Sequence, residues 1–383
     1  MNIKEKNPDE GKKTEENQSE NKSLFREKTV ALVLAALAAF LTVVAAGGFF
    51  FLRYSGELRR GMFQGEDSQE IQQVKEQRAD SDQQDEELKD VDWIDSDGKM
   101  YQYRDDVVTV LLMGIDYNSD PSRWANDVRS NGGNADLLAL VIFDTETNEI
   151  CILNIPRDTM TDVLAVDAEG KYKDTLFSNI TTAHSYGDGG ELSCELTVDA
   201  VSNLLYGIPI NRYVSISYYA LPLLNQAIGG LEITLERDYT NINAAFTEGA
   251  TVRLTDYQLK RMVVYRDHSE LEGAYERGLR DMTVLKALFE QCKGMVKEDP
   301  GAVFALYNKL EDYITTDLRL DEISYLAQKA VKMDLNADTV IAMQGEAVAG
   351  EIYVEFYPDE QWLHDFVTAH LCREIKNLQG AVR

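Results

Sequence analysis

The pattern of apolar and polar positions divides the chain into stretches of unlike character. Residues 1–28 are polar, charged and almost free of aromatic side chains, which predicts a disordered cytoplasmic tail. Thr29 to Leu52, TVALVLAALAAFLTVVAAGGFFFL, is an uncharged apolar run long enough to cross a bilayer as a helix, and it predicts an uncleaved, single-pass signal anchor. A cleaved signal peptide is the rival reading, given Ala45-Ala46-Gly47, but the run exceeds a usual h-region and a long segment precedes it. Lys22, Arg26 and Lys28 on one side are matched by Arg53, Arg59 and Arg60 on the other, so the charge rule alone leaves the orientation open. Residues 53–91 are rich in Glu, Gln, Asp and Arg. Their sparse apolar positions, among them Phe63, Ile71 and Val74, sustain no heptad, and the stretch reads as a solvated stalk, helical in part. A folded domain is expected over 92–383.

Inside that domain the pattern changes to short, continuous apolar runs. Val107 to Ile115, VVTVLLMGI, is a strand of the kind covered on both faces. Leu137–Phe143 and Glu149–Ile155 are two more, joined by the turn formers Asp144 to Asn148, which predicts an antiparallel hairpin. Helical periodicity follows: Cys194 to Tyr206 capped by Ser193 and stopped by Gly207, Tyr219 to Ile228 stopped by Gly229-Gly230, Thr255-Asp256 to Val264, and Glu270 to Val296. Strands near 213–217 and 231–235 lie between them. Helices near 302–314, 321–331 and 360–372, with an apolar run at 352–356, close the chain. The alternation predicts an α/β fold, with a central mixed sheet that contains antiparallel pairs and is flanked by helices.

Charge narrows the function classes. With 66 acidic against 38 basic residues the formal net charge is −28, which repels a phosphate backbone and excludes nucleic acid as a partner. An anionic substrate would have to be held by a local arginine cluster or a metal ion, so individual arginines carry information. Cys151, Cys194, Cys292 and Cys372 lie far apart with no CxxC pair, which argues against a zinc site; one or two disulfides stay possible, and Cys151 reads as a small core residue.

Charged residues stand abruptly at the strand ends. Pro156 cannot continue a ladder, so Arg157 and Asp158 emerge where α/β proteins build their sites. Asp116 follows the first strand and Asp136 opens the hairpin, and two such carboxylates can serve as oxygen ligands for a hard cation such as magnesium. A long polar loop, Tyr117 to Asn134, lies between them and suits a flap. Arg266 enters a loop after a helix, while Arg277 and Arg280, three residues apart, share a helix face and can form a fork for phosphate oxygens. The bland alternatives are a buried ion pair at the hairpin, solvated aspartates, a structural His184, and a surface salt bridge of the two arginines with Glu276 and Asp281.

Taken in order, LLMGID, Gly-Gly-Asn-Ala-Asp, IPRDTMT, AHSYGDGGELSCELTVDAVSNLLYGIPINRY, IGGLEITL, and VYRD with a following Arg-x-x-Arg resemble the LytR-CpsA-Psr family over about Val107 to Met295. The resemblance implies an extracytoplasmic phosphotransferase that moves an anionic glycopolymer, of the teichoic acid or capsule type, from undecaprenyl pyrophosphate to peptidoglycan, usually onto the muramic acid 6-hydroxyl. It implies an N-terminus inside the cell membrane, an apolar channel for the polyprenyl chain, and a magnesium-assisted arginine cluster for the pyrophosphate. Carried over by motif, Asp136 resembles the aspartate of an RSD motif and, with Asp116, would hold Mg2+. Arg157 and Asp158 resemble a PRD pair, Arg266 the second arginine of RxR, and Arg277 and Arg280 those of the final helix. Asp136, Arg157 and Asp158 are thereby the catalytic candidates, and Arg157, Arg266, Arg277 and Arg280 the pyrophosphate-binding ones.

Three positions depart from the family pattern: Asn134 replaces the RSD arginine, Val264 the first arginine of RxR, and Asp281 a glutamine. A second function therefore stands beside the transferase, a membrane-anchored protein of the same fold that binds polyprenyl-phosphate lipids or wall polymer without turning them over.

Overall fold

The computed structural model describes residues 63, 67–81, 92–94, 99–116, 132–267, 271–299, 301–335 and 339–375. The tail, the apolar run at 29–52 and most of the loop Tyr117 to Asn134 lie outside them. Among the described residues no helix is long and apolar enough to cross a membrane. A small sheet of β1 (Asp92–Ile94), β2 (Met100–Tyr103) and the C-terminal β15 (Cys372–Ile375) borders the central one. The central sheet contains β3 (Val107–Ile115), β4 (Ala135–Asp144), β5 (Glu149–Asn154), β8 (Arg212–Ser217), β11 (Ile314–Thr316) and β12 (Val340–Ala342), in the order β11-β8-β3-β4-β5-β12. β3 runs antiparallel to β4 and parallel to β8, and β5 runs antiparallel to β4 and parallel to β12, so the sheet is mixed, as the apolar runs predict. The β4–β5 turn is held by Asp144, whose carboxylate accepts from the amides of Glu146 and Thr147 at 3.0 and 2.9 Å, while Asn148 takes a left-handed φ of 60°.

The alternation of a strand explains why these segments are apolar throughout. Val107, Leu111, Met113 and Ile115 face one layer, where helices over Glu191–Leu204 and Glu360–His370 supply Cys194, Ala200, Val201, Leu363 and Phe366. Val108 and Val110 face the other, where the 26-residue helix Gly273–Glu298 supplies Met282, Leu285 and Phe289 and Leu320–Ala330 supplies Leu326. Three further hairpins lie outside the sheet: β6–β7 (Met160–Val166, Tyr172–Asn179), β9–β10 (Glu232–Thr234, Thr251–Arg253) and β13–β14 (Gly345–Ala349, Val354–Pro358). At the far end of β8, Arg212 and Glu322 form a buried bidentate pair at 3.0 and 2.7 Å.

Two expectations need correction. The presumed stalk is not all stalk: the compact unit begins at Arg60, and Gln69–Ser81 is a helix that docks on it. Ile71 and Val74, three residues apart and so on one helical face, are fully buried against Leu164, Leu192 and Leu196, and Ser68 donates to the Glu195 carboxylate. Phe63 is buried against the central sheet, and its carbonyl accepts from Arg212. Two apolar positions suffice to dock a helix when the core they meet is already assembled elsewhere. Ser193 is likewise not the cap of its helix. Glu191–Leu204 starts after Gly190, and Asp188 accepts from the Gly190 and Ser193 amides at 2.7 and 3.3 Å, so the aspartate upstream does the capping. All four cysteines are free thiols, and burial pushes the Cys151 thiol up to about 12, as suits a core residue.

Candidate functional site

The strand directions bring one end of the sheet together. The C-terminal ends of β3, β5 and β8 and the start of β4 lie side by side, which gathers Asp116, Asp136, Asn154 to Asp158 and Tyr218. Close packing there leaves no room at Gly114, where a Cβ would sit 2.9 Å from both Leu137 Cβ and the Tyr218 ring. Pro156 ends the β5 ladder, and its carbonyl accepts from the Thr159 amide at 3.0 Å and hydroxyl at 2.6 Å. That turn presents Arg157 and Asp158 at the strand end. The helix Gly273–Glu298 approaches so closely that a Cβ at Gly278 would stand 2.9 Å from Asn154 Nδ2, and the approach lets its Arg277 reach Asp136.

The charges alternate along one connected line. Arg277 donates to Asp136 Oδ2 at 2.9 Å and to the Asp136 carbonyl at 3.0 Å, and Arg157 donates to Asp136 Oδ1. Arg157 Nε lies 3.4 Å from Asp158 Oδ1, and Arg266 lies 3.6 Å from Asp158 Oδ2. Asp116 stands beside them, accepting from the Asn134 amide at 2.7 Å. Burial pushes the Asp116 carboxyl above the ordinary range, and the neighbouring Asp136 charge adds to the effect. Burial raises Asp158 too, against the opposing pull of Arg157 and Arg266.

The same region holds buried polar atoms that find no hydrogen-bond partner: Nε of Arg157, Arg266 and Arg277, Asn154 Nδ2, the Tyr218 hydroxyl and both oxygens of Asp281. Buried donors in native proteins are paired almost without exception, so a set of unpaired N–H groups calls for an anionic acceptor. Asp281 is the anomaly among them. It is 3% exposed, and burial pushes its carboxyl up to about 8 although Arg277 and Arg280 pull the other way.

Arg280 differs from expectation. It is as buried as Arg277, which rules out the surface salt bridge, but it does not join the Asp136 line. Its guanidinium donates to the carbonyls of Met262 and Tyr265 and lies over the Tyr239 and Tyr265 rings. The helix Asp256–Val264, begun by a Thr255–Gln258 capping box, ends at those carbonyls, and a helix C-terminus is a natural seat for a cation. Arg280 thus fixes the turn that delivers Arg266. Val264, in the last turn, is 41% exposed. His184 is structural: its Nδ1–H donates to the Gly132 and Gly133 carbonyls at 2.7 and 3.2 Å, which holds the chain entering β4. Asn154 and Tyr218 escape sequence reasoning as site residues. The only local signal for Asn154 is one amide at the end of an otherwise apolar strand.

A family model described as the LytR_cpsA_psr family matches residues 67–367. The chain belongs to that family. The match takes in the docked helix from Gln69 to Ser81, in agreement with its packing. A polyisoprenyl-teichoic acid–peptidoglycan teichoic acid transferase, TagU, from Halalkalibacterium halodurans is 24% identical over 216 residues, which is 56% of this chain and 62% of that relative. The chain therefore spans less than two thirds of the relative's length. Among solved structures, TagV from B. subtilis superposes with a TM-score of 0.52 at 22% identity, covering 69% of this chain and 96% of the other. Protein gbs0355 from Streptococcus agalactiae gives 0.54 at 18% identity, covering 72% and 92%. These likenesses establish the mixed α/β fold with its helix-flanked sheet.

Proposed function

We propose that this chain is a membrane-anchored transferase that moves an anionic glycopolymer from an undecaprenyl-pyrophosphate carrier to peptidoglycan. The observation that carries the reading is the line Arg277–Asp136–Arg157–Asp158–Arg266 with its unpaired N–H donors, a set whose missing acceptors a diphosphate supplies. The run at 29–52 would anchor the chain with its N-terminus in the cytoplasm and the domain outside, on the side where peptidoglycan lies. Membership of the family and the TagU relative support the choice of substrates.

In the reaction the acceptor hydroxyl oxygen attacks the phosphorus that carries the glycopolymer, and the bond from that phosphorus to the bridging oxygen breaks. Undecaprenyl phosphate leaves with the electron pair. Arg157, Arg266 and Arg277 stabilise the negative charge that moves onto it. Asp158 is better placed than Asp136 to take the hydroxyl proton: both Asp136 oxygens already accept from arginines, whereas the ion pairs of Asp158 are longer and burial raises its proton affinity. Asp116 and Asp136 would hold Mg2+, being two neighbouring carboxylates whose mutual repulsion a cation relieves, with places left for water and phosphate oxygens. Magnesium there would supply further neutralisation of the diphosphate. Arg157→Ala and Arg277→Ala should each weaken binding of an undecaprenyl-pyrophosphate lipid about 10- to 100-fold, the scale of a lost charge-assisted hydrogen bond. Unchanged affinity in both would mean that the site lies elsewhere.

A further inference from the structure

Beside the charged line lies a second feature of opposite character. The first turn of the helix Gly273–Glu298 and the β13–β14 hairpin enclose a cavity of about 610 Å³ lined by Glu272, Tyr275, Glu346, Phe356, Tyr357 and Asp359 among others. That is within the range of small-molecule sites, about 300–1000 Å³. Tyr275 stacks on Phe356 with ring centroids 5.8 Å apart and planes at 12°, and Glu346 pairs directly across the hairpin with Tyr357. Among the described residues three carboxylates line the cavity, and no lysine or arginine does.

The cavity is tied to the candidate base through the backbone. The Phe356 amide donates to the Asp158 carbonyl at 2.8 Å, Thr159 bridges to Phe356, and Asn179 Nδ2 donates to both the Asp158 and Val354 carbonyls. Tyr275 precedes Arg277 by two residues on one helix. A ligand in the cavity therefore lies against the strand whose amide holds the Asp158 backbone, outside the arginine line. Aromatic faces suit the apolar C–H faces of pyranose rings, and ionised carboxylates, which only accept, suit sugar hydroxyls and acetamido N–H groups. A phosphate-bearing polymer would meet three like charges there, with no cation among the described lining residues to offset them.

We propose that this cavity is the acceptor subsite, which takes the uncharged amino-sugar backbone of the peptidoglycan strand and turns its hydroxyl towards Asp158. The proposal rests on the transferase reading and adds to it where the acceptor, as distinct from the anionic donor, is held.

The test uses the full chain in detergent, an undecaprenyl-pyrophosphate glycopolymer as donor, and as acceptor a peptidoglycan glycan oligomer stripped of stem peptides whose muramic acid carboxyls are capped as amides, so that it carries no charge. Tyr357→Ala and Glu346→Gln, both exposed positions, should raise the acceptor KM about tenfold and leave the donor KM where it was. Ile352→Ser at the tip of the same hairpin, 79% exposed, controls for distortion of the hairpin and should move neither constant. An unchanged acceptor KM in both variants, or a rise confined to the donor KM, overturns the subsite. Direct titration of the glycan oligomer separates the two claims. If the wild-type chain binds the oligomer, the variants lose that binding, and no linked product forms, the transferase reading fails and the glycan site stands. If product forms and the variants bind the oligomer like wild type, the site fails and the transferase stands.

Discussion

Replacing Asp281 with asparagine should flatten the pH dependence of folding stability. The side chain is 3% exposed, neither oxygen has a hydrogen-bond partner, and burial pushes the carboxyl up to about 8. Below about pH 4 the folded and unfolded chains both carry the proton, and Asp281 adds no pH dependence. Between about pH 4 and 8 the folded chain keeps a proton that the unfolded chain gives up, so stability falls as pH rises, by up to about 1.4 kcal/mol per pH unit. From pH 5 to 7 the loss from this one group is about 3 kcal/mol. With an unfolding entropy of roughly 2.1 cal/mol/K per residue over a unit of about 300 residues, that corresponds to about 4–5 °C in Tm. Asparagine does not titrate, and any fixed cost of burying its amide cancels from the slope. Calorimetry of wild type and Asp281→Asn from pH 5 to 8 in EDTA should show the variant gaining on wild type as pH rises. Parallel curves would refute the account of Asp281 as a buried acid that holds its proton.

Other expectations follow from the packing. Gly278→Ala drives a Cβ to 2.9 Å from Asn154 Nδ2, so denaturant unfolding should show a loss of about 1–3 kcal/mol in spite of alanine's better helix propensity. Arg212→Leu leaves Glu322, which is 0% exposed, as an unpaired buried charge and should cost about 3–5 kcal/mol; leucine at both positions should recover most of it. Burial lowers the pKa of His184 although the Gly132 and Gly133 carbonyls favour its protonated form, so the unfolded chain binds the proton first on acidification. Its contribution should be lost as pH falls below about 6.5, and NMR should find this imidazole still neutral there; ordinary titration near 6.5 would contradict the buried placement.

Local pattern made much of this molecule readable. The β3, β4 and β5 strands, the Asp144–Asn148 turn, the Thr255 cap and the Pro-Arg-Asp strand end each depend on neighbours in sequence, and each lies where the pattern places it. The docked helix at Gln69–Ser81 was hidden because its two core contacts, Ile71 and Val74, stand in a polar segment whose partners come a hundred residues later. Arg280 has the spacing of a phosphate ligand, yet carbonyls of a separate helix claim its donors, and no spacing rule sees them. Tyr218 and Asn154 are brought in only by strand order. Asp281 was visible as a departure from the family pattern, but its raised proton affinity comes from burial, which sequence does not carry.

The central claim is that the arginine–aspartate line transfers a glycopolymer. The most direct measurement incubates the purified full chain with Mg2+, a radiolabelled glycopolymer on undecaprenyl pyrophosphate, and peptidoglycan oligomers, then resolves peptidoglycan-linked label. The account predicts linked label in proportion to undecaprenyl phosphate released, abolished in Arg157→Ala. Intact lipid binding with no linked label, at any magnesium concentration, would contradict it and leave the chain a binding protein of the same fold.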